Sequence, residues 1–209
     1  MLRVAMLSYW HVHAWDYTKQ AKEHPETEIV AVWDEEPGRG RETAEKLGVR
    51  FYESLDELLA QDTIDGVIVD APTNMHRDVM VAAANAKKHI FTEKVIAATV
   101  REVDEILEAV KRNGVTMTVS LPRLNAGYTA AIRKIIDDGE LGDVTLARTR
   151  LSHNGGLPTE QSVNGWLPAH FYNLDQTQGG AMIDLGCHPM YLTRPVSYTH
   201  LTLPTNREV

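Results

Sequence analysis

The chain has 209 residues, one cysteine and a formal net charge of −8 at pH 7. An acidic chain without a basic stripe is a poor nucleic-acid binder, and a lone Cys187 excludes an intramolecular disulfide and fits a reducing compartment. A run of about 18 apolar residues, which a membrane span needs, is missing from the sequence, and the first residues lack a signal-peptide pattern. We therefore expect a cytoplasmic protein with no nucleic-acid or membrane partner.

The first half of the chain alternates apolar runs with helical segments. The runs that predict strands cover residues 2–7, 28–34, 49–52, 65–72, 89–94 and 115–121. Pro37 and Gly48 are typical of the start and end of a helix, and Thr99 with Glu102 forms a capping-box pattern. The pattern predicts an α/β fold over residues 1–121, a Rossmann-type doubly wound parallel sheet of order 3-2-1-4-5-6. In the helix after Thr99, the spacing places an apolar face inward that consists of Val103, Ile106, Leu107 and Val110.

After Leu121 the pattern changes. Residues 128–138 predict an amphipathic helix with Ile132, Ile135 and Ile136 facing inward, and residues 143–152 alternate like a half-buried strand. A long polar and aromatic loop over 153–178 precedes a helix predicted from Gly179 to about Tyr191. We expect residues 122–195 to be the start of a truncated α+β second domain. Residues 196–209 do not continue the helix pattern, and we expect them to be a non-native tail.

The turn after the first strand is the predicted cofactor site, although it lacks the usual G-x-G-x-x-G glycines. Its candidate binding residues are Ser8, Tyr9, Trp10, His11 and His13. A helix N-terminus behind the turn favours an anion, and either histidine could donate a hydrogen bond to a phosphate. The alternative is a turn that binds nothing.

Asp34 follows the second strand, where an acid accepts hydrogen bonds from the adenosine ribose hydroxyls. Asp34, Glu35 and Glu36 would together repel the 2′-phosphate of NADP. Arg39 and the nearby Arg41 weaken that preference without reversing it. NAD is therefore the predicted cofactor and NADP the less favoured one, while the alternative for Asp34 is a solvated acid at a helix entry.

Charged groups that suit acid–base chemistry lie at two further places. Glu93 and Lys94 end the fifth strand and would point into the crevice at the carboxyl edge of the sheet, or form an exposed charged pair. Asp184 and His188 are four residues apart on a predicted helix, which puts them on one face. His188 is then a candidate general base or acid with Asp184 as its orienter, or the two are a surface pair.

The long loop carries the candidate substrate residues Trp166, His170 and Tyr172, which either line a substrate pocket or anchor the loop by packing. Arg123, just after the last strand, is assigned to the same pocket. Nine histidines raise the question of a metal, but the sequence has no H-E-x-x-H motif and no cysteine cluster. We predict no metal site.

Four segments together resemble the Gfo/Idh/MocA family: D-A-P-T-N-M-H at 70–76, K-H-I-F-T-E-K at 88–94, the helix–turn–strand pattern at 136–144, and G-G-A-M-I-D-L-G-C-H-P at 179–189. The resemblance implies an NAD(P)-dependent oxidoreductase acting on a sugar, polyol or related hydroxy compound. It assigns hydride-transfer chemistry to Lys94, Asp184 and His188. It also adds cofactor contacts at Ala71, Pro72, Thr73, Asn74, His76, Glu93 and Lys94.

The resemblance also has departures and open alternatives. Val95 stands where the family has proline, and a valine predicts a trans peptide bond after Lys94. Family members are commonly oligomers through the second domain, so the full-length protein is expected to be a homo-oligomer. A non-catalytic or regulatory binding protein of the same fold, or an NAD-dependent lyase or hydrolase, remains an alternative.

Overall fold

The computed structural model describes residues 1–163 and 165–197, with side chains up to Arg194. Six parallel strands form one sheet in the order β3-β2-β1-β4-β5-β6, which confirms the predicted fold class and strand order. The strands are β1 Leu2–Leu7, β2 Thr27–Trp33, β3 Arg50–Phe51, β4 Gly66–Val69, β5 His89–Thr92 and β6 Met117–Val119.

The helices between these strands are α1 Ala14–Glu23, α2 Pro37–Leu47, α3 Leu55–Leu59, α4 His76–Asn85 and α5 Val100–Asn113. Two of them, α2 and α5, begin or end at the capping residues that the sequence predicts. Gly48 closes α2 at φ 69°, a left-handed conformation that costs glycine little. The Thr99 hydroxyl accepts a hydrogen bond from Glu102 N–H, and the Glu102 carboxylate accepts one from Thr99 N–H. The predicted capping box is therefore confirmed.

The core lies on both faces of the sheet, because alternate strand residues point to opposite sides. Val67 and Val69 pack with α4 and α5, whereas Ile68 packs on the side of α1 and α2. The predicted apolar face of α5 is wrong for Leu107, which is 46% exposed, and Ala109 is buried instead. A short side chain lets α5 lie closer to α4, with which it shares an extensive contact.

The second half of the described chain consists of short helices separated by irregular segments. It contains α6 Gly127–Asp137, α7 Leu174–Thr177, α8 Gly180–Asp184 and α9 Cys187–Ser197, with 3-10 turns at Pro122–Asn125 and Ala169–Tyr172. The predicted α6 is confirmed, but its inward face is wrong. Ile132 and Ile135 are exposed because, within the part of the chain that the structure describes, α6 packs mainly against α9 and the 3-10 turn before it.

Two other predictions for this half are wrong. Residues 143–152 form no strand within the described ranges, because a lone extended segment gains ladder hydrogen bonds only from a pairing partner. The helix predicted over 179–191 is broken at Leu185 and Gly186 into α8 and α9. The expected tail lies outside the described residues from 198 onward. Among the helices that the structure describes, none is long and apolar enough to cross a membrane.

Candidate functional site

Three turns meet at the carboxyl edge of the sheet, after β1, β4 and β5. Leu7 pairs with Val69, and Val69 pairs with Thr92, so the three strands end level with one another. Residues from each turn line one small cavity of about 20 Å³, together with residues of the second half. The expected crevice is therefore present, and the segment from Phe171 to Asp184 packs against it.

The turn after β1 follows a glycine-like path without glycine. Ser8 has φ 77°, the left-handed conformation that favours glycine. Five backbone N–H groups of this turn donate hydrogen bonds inside the protein: those of Ser8, Tyr9, Trp10, His11 and His13. The turn thus keeps the glycine-type backbone path, but these amide groups are already engaged.

The carboxylate of Asp34 at the end of β2 is fully buried. It accepts hydrogen bonds from the N–H groups of Tyr9 and Glu36 and from two nitrogens of Arg39 at 2.7 and 2.9 Å. Arg39 also pairs with the Glu35 and Glu36 carboxylates, so its charge is neutralised locally. Asp34 holds the first turn in place, and its ribose role stays a prediction.

The Glu35 carboxylate, next to Asp34, takes part in these contacts through only one of its two oxygens. Its Oε2 is buried without a hydrogen-bond partner among the described residues. Burial raises the pKa of the Glu35 carboxyl, and the nearby Ser8 hydroxyl, which does not reach hydrogen-bond geometry with Oε2, opposes that rise. An acceptor of this kind is available to a hydroxyl donor at the end of β2.

The turn after β4 brings Asp70 and His76 into the interior. Both oxygens of Asp70 are buried without a partner within the described ranges, and burial, followed by the charge of Glu93, raises its pKa well above the usual range. The ring nitrogens of His76 lie 2.9 Å from Ala71 O and 2.7 Å from Val95 O. His76 therefore connects the turns after β4 and β5 rather than pointing into open space.

The remaining predicted cofactor residues of this turn differ in exposure. Ala71 and Pro72 are buried, Thr73 lines the small cavity, and Asn74 is exposed on the 3-10 turn Thr73–Met75. Their cofactor roles stay predictions.

Lys94 and Glu93 are buried at the end of β5, so the reading as an exposed charged pair does not hold. The Lys94 ammonium donates to the carbonyl oxygen of Asp184 at 2.9 Å and also contacts its carboxylate. The Glu93 carboxylate accepts from the Tyr17 hydroxyl, and its Oε1 lies 3.9 Å from Lys94 Nζ. The expected trans bond after Lys94 is wrong, since the Lys94–Val95 peptide is cis where the Val95 carbonyl meets His76.

Asp184 and His188 are not paired on one helix, which corrects the predicted arrangement. Asp184 ends α8 and contacts Lys94, while His188 lies in α9 with its Nδ1 2.6 Å from the Tyr191 hydroxyl. The break at Leu185 and Gly186 places the two residues in separate helices. Sequence spacing could not show this, because it assumed a continuous helix.

His188 is buried near two cations. Burial, and then the charges of Lys94 and Arg123, lowers the pKa of His188 to about 4. The imidazole is therefore neutral at pH 7 and able to accept a proton. Arg123, predicted to bind substrate, lies in the 3-10 turn after β6 and acts on His188 through its charge.

A pocket of about 530 Å³ opens beside these groups. Its polar wall includes His13, Tyr17, Glu93, Lys94, Ser120 and His188. Pockets of this volume suit small-molecule ligands. The arrangement combines a buried ammonium, which can stabilise negative charge on an oxygen, with a neutral imidazole, which can take a proton.

The aromatic residues of the long loop differ in their contacts and in their exposure. His170 Nε2 lies 2.8 Å from Trp10 O, and Trp166 packs on His153 with half of its surface exposed. Tyr172 is also half exposed. These contacts support the packing interpretation, while a substrate role for the three residues stays a prediction.

Three residues at the site were missed by sequence reasoning. Phe171 stacks on Trp10 with ring planes 13° apart, Tyr17 contacts Glu93, and Asp70 faces the interior. The sequence could have indicated a functional role for Asp70, because this acid follows an apolar strand and buried acids are rare. Phe171 and Tyr17 carried no such signal.

Two features of this site fit a nicotinamide dinucleotide. The glycine-type path at Ser8 and the unpaired Glu35 Oε2 both fit such a group, one at the diphosphate turn and one at the ribose position. Because the amides of the first turn are engaged, side chains would have to supply much of the diphosphate contact. The site fits the cofactor on these two observations, with NAD or NADP left open.

Comparison with known proteins agrees with this geometry. Residues 7–121, more than half of the chain, match the family model described as "Oxidoreductase family, NAD-binding Rossmann fold", and residues 129–198 match the GFO/IDH/MocA C-terminal domain. An uncharacterized oxidoreductase of Streptococcus pneumoniae is 34% identical over 161 residues, which cover 72% of this chain and 42% of that protein. A scyllo-inositol 2-dehydrogenase (NAD(+)) of Bacillus subtilis is 32% identical over 172 residues, covering 81% and 46%.

Solved structures show the same fold. The crystal structure of an NAD-binding protein from Listeria innocua superposes with a TM-score of 0.76 at 20% identity, covering 92% of this chain and 53% of that one. The chain spans roughly half the length of the curated relatives it matches. With its sheet order, site geometry and family match in agreement, the chain belongs to the Gfo/Idh/MocA oxidoreductase family with an NAD-binding Rossmann fold.

Proposed function

We propose that the protein is an NAD(P)-dependent oxidoreductase that acts on a CH–OH group of a sugar or polyol. The observation that carries this proposal is the convergence of Lys94, Asp184 and His188 at the carboxyl end of β5. The curated relatives named inositol 2-dehydrogenase and scyllo-inositol 2-dehydrogenase make inositols the first substrates to test.

In this proposal Lys94 holds the substrate oxygen and stabilises the negative charge that develops on it. Asp184 fixes the Lys94 ammonium through its carbonyl oxygen and its carboxylate. His188 is neutral and takes the hydroxyl proton, or returns it in the reverse direction. The pocket wall around Glu93 and Ser120 gives the substrate hydroxyls polar partners.

The cofactor, when bound, supplies the acceptor or donor of the hydride. The residues that would hold it are those of the turn after β1, Glu35 through its Oε2 atom, and the residues that follow β4. The engaged state of the Arg39 guanidinium, which pairs with three carboxylates, supports NAD over NADP.

The proposal also covers the cellular location and the assembly of the protein. A lone cysteine supports a reducing compartment such as the cytoplasm, and we infer a homo-oligomer for the full-length protein from the family resemblance alone.

The test is turnover of myo- and scyllo-inositol with NAD⁺ and NADP⁺, followed by the near-ultraviolet absorbance of the reduced nicotinamide. We expect Lys94→Met to lower kcat/KM by about 100-fold or more. The matched control is Lys111→Met, an exposed lysine on α5, which should leave the rate unchanged. Because the 209-residue chain spans about half the length of its relatives, the assay uses the full-length protein, and equal, measurable rates with and without Lys94→Met would reject the proposed role.

A second candidate is a non-catalytic binding protein of the same fold. The engaged amides of the first turn favour it, because a tightly held diphosphate usually needs free backbone donors. It predicts saturable binding of NADH, seen as quenching of Trp10 and Trp33 fluorescence, without turnover of any polyol. Turnover without net formation of NADH would instead indicate a lyase or hydrolase.

A further inference from the structure

Three buried side chains from distant parts of the sequence meet beneath the start of α1. His11, Asp70 and Glu93 each place a nitrogen or carboxylate oxygen within 4.8 Å of the others. All three residues are at least nine-tenths buried. The cluster lies behind the pocket that Lys94 and His188 share, and Glu93 belongs to both.

Asp70 is the informative member of this cluster. Its side chain is fully buried, and neither oxygen has a hydrogen-bond partner among the described residues. A buried carboxylate without partners is costly, whether it is ionised or protonated, so such groups in folded proteins are normally paired or bind a metal. Its oxygens face the cluster that contains the imidazole of His11 and the carboxylate of Glu93.

The donor set indicates which class of ligand fits. Ligand atoms around a cation at about 2.1 Å lie roughly 3–4 Å from one another, and the three candidate atoms here all lie within 4.8 Å of one another, so small side-chain movements would bring them to ligand spacing. One imidazole and two carboxylates suit Zn²⁺, Mn²⁺ or Fe²⁺, whereas Mg²⁺ and Ca²⁺ prefer oxygen donors throughout. Two carboxylates also balance the two charges of such a cation.

Neighbouring groups hold the side chains of the cluster in position. The Tyr17 hydroxyl donates to Glu93 and lies 2.7 Å from Ser120 Oγ, which fixes the orientation of the Glu93 carboxylate. The nearest cation, Lys94, is 3.9 Å from Glu93 but is paired with Asp184, so its charge is offset. The pocket of about 530 Å³ reaches Glu93 and gives an entry path from solvent.

We propose that His11, Asp70 and Glu93 form a binding site for a divalent transition-metal cation of the Zn²⁺ type. The sequence predicted no metal, because ligands at positions 11, 70 and 93 have no recognisable spacing and are joined only by the folding of β1, β4 and β5. The proposal rests on the geometry of the cluster and not on hydride transfer, although His11 and Glu93 are also predicted cofactor contacts. Because Co²⁺ binding is measured without cofactor or substrate, its failure is distinguishable from failure of the oxidoreductase proposal.

The test uses the full 209-residue chain after treatment with a chelator. Titration with Co²⁺ should produce saturable visible absorption bands at one equivalent, and Zn²⁺ should displace them. Asp70→Asn and His11→Gln should each weaken Co²⁺ binding by about 100-fold or more. A residue that binds the metal directly contributes at least as much affinity as one that only orients a ligand. The matched controls Asp104→Asn and His24→Gln alter exposed residues and should bind as the parent chain does.

Folding of each variant is checked by circular dichroism before titration. Asp70→Asn removes an unpartnered buried carboxylate, so the metal-free variant should be at least as resistant to urea as the metal-free parent. Weak, non-saturable Co²⁺ binding in the parent chain would overturn the proposal. So would a saturable site of equal affinity in Asp70→Asn and His11→Gln, since the ion would then be held by other histidines.

Discussion

His76 offers a sharp test of how the site is held together. Its side chain is almost completely buried, and its two ring nitrogens face the carbonyl oxygens of Ala71 and Val95. Burial lowers the pKa of His76, so the ring is neutral and carries one N–H. His76→Ala would therefore remove one hydrogen bond to a backbone carbonyl and leave a cavity between the turns after β4 and β5.

The cost follows from these two losses. A buried carbonyl without a partner costs about 1–3 kcal/mol, and a cavity larger than a methyl group adds about 1 kcal/mol. We expect the free energy of unfolding to fall by about 3 kcal/mol, which for a chain of this size lowers Tm by about 6–12 °C. Because Val95 directly follows Lys94, the placement of the ammonium should loosen as well.

Urea denaturation of the 209-residue chain, followed by circular dichroism, measures the change. The exposed His24→Ala serves as the control and should alter the free energy of unfolding by less than about 0.5 kcal/mol. A loss below about 1 kcal/mol in His76→Ala would refute the reasoning, since it would mean that the carbonyl finds another partner at no cost.

Further predictions concern a cap, an ion pair and a titrating group. Thr99→Ala removes the capping box of α5 and should lower the free energy of unfolding by about 1 kcal/mol in urea denaturation, whereas Thr99→Ser should retain most of it. Asp184→Asn leaves the buried Lys94 ammonium without its carboxylate and should cost about 2 kcal/mol by the same measurement; a change equal to that of the exposed Asp175→Asn would contradict the pairing. Because the pKa of His188 is lowered to about 4 in the folded chain, the unfolded chain binds the proton first, so stability should be highest above pH 6.5 and fall as the pH drops from 6.5 towards 4. The urea midpoint should therefore be lower at pH 5 than at pH 7, and this difference should shrink in His188→Gln; an unchanged difference would assign the dependence to other groups.

Local sequence chemistry determined most of the nucleotide-binding half. The six strands, their order, the end of α2 at Gly48 and the capping box at Thr99 were all predictable. Each depends on residues within a few positions of one another, or on the general rule that parallel strands need helical crossovers. The resemblance to the family located Lys94, Asp184 and His188 in the same way, from short motifs.

Tertiary structure decided how those residues relate. Asp184 pairs with Lys94 instead of His188, because α8 and α9 are separate helices. Residues 143–152 have the alternation of a strand but form none, since alternation describes which face is apolar and supplies no pairing partner.

The cluster of His11, Asp70 and Glu93 also depends on tertiary structure. Each residue could be read from the sequence as the end of a strand or the turn after it, yet only the register of β1, β4 and β5 brings the three within 4.8 Å. Burial then changes the chemistry of each side chain, because a carboxylate that would be solvated on a surface must find a partner inside. The sequence determined which groups are available, and the register of β1, β4 and β5 determined which of them meet.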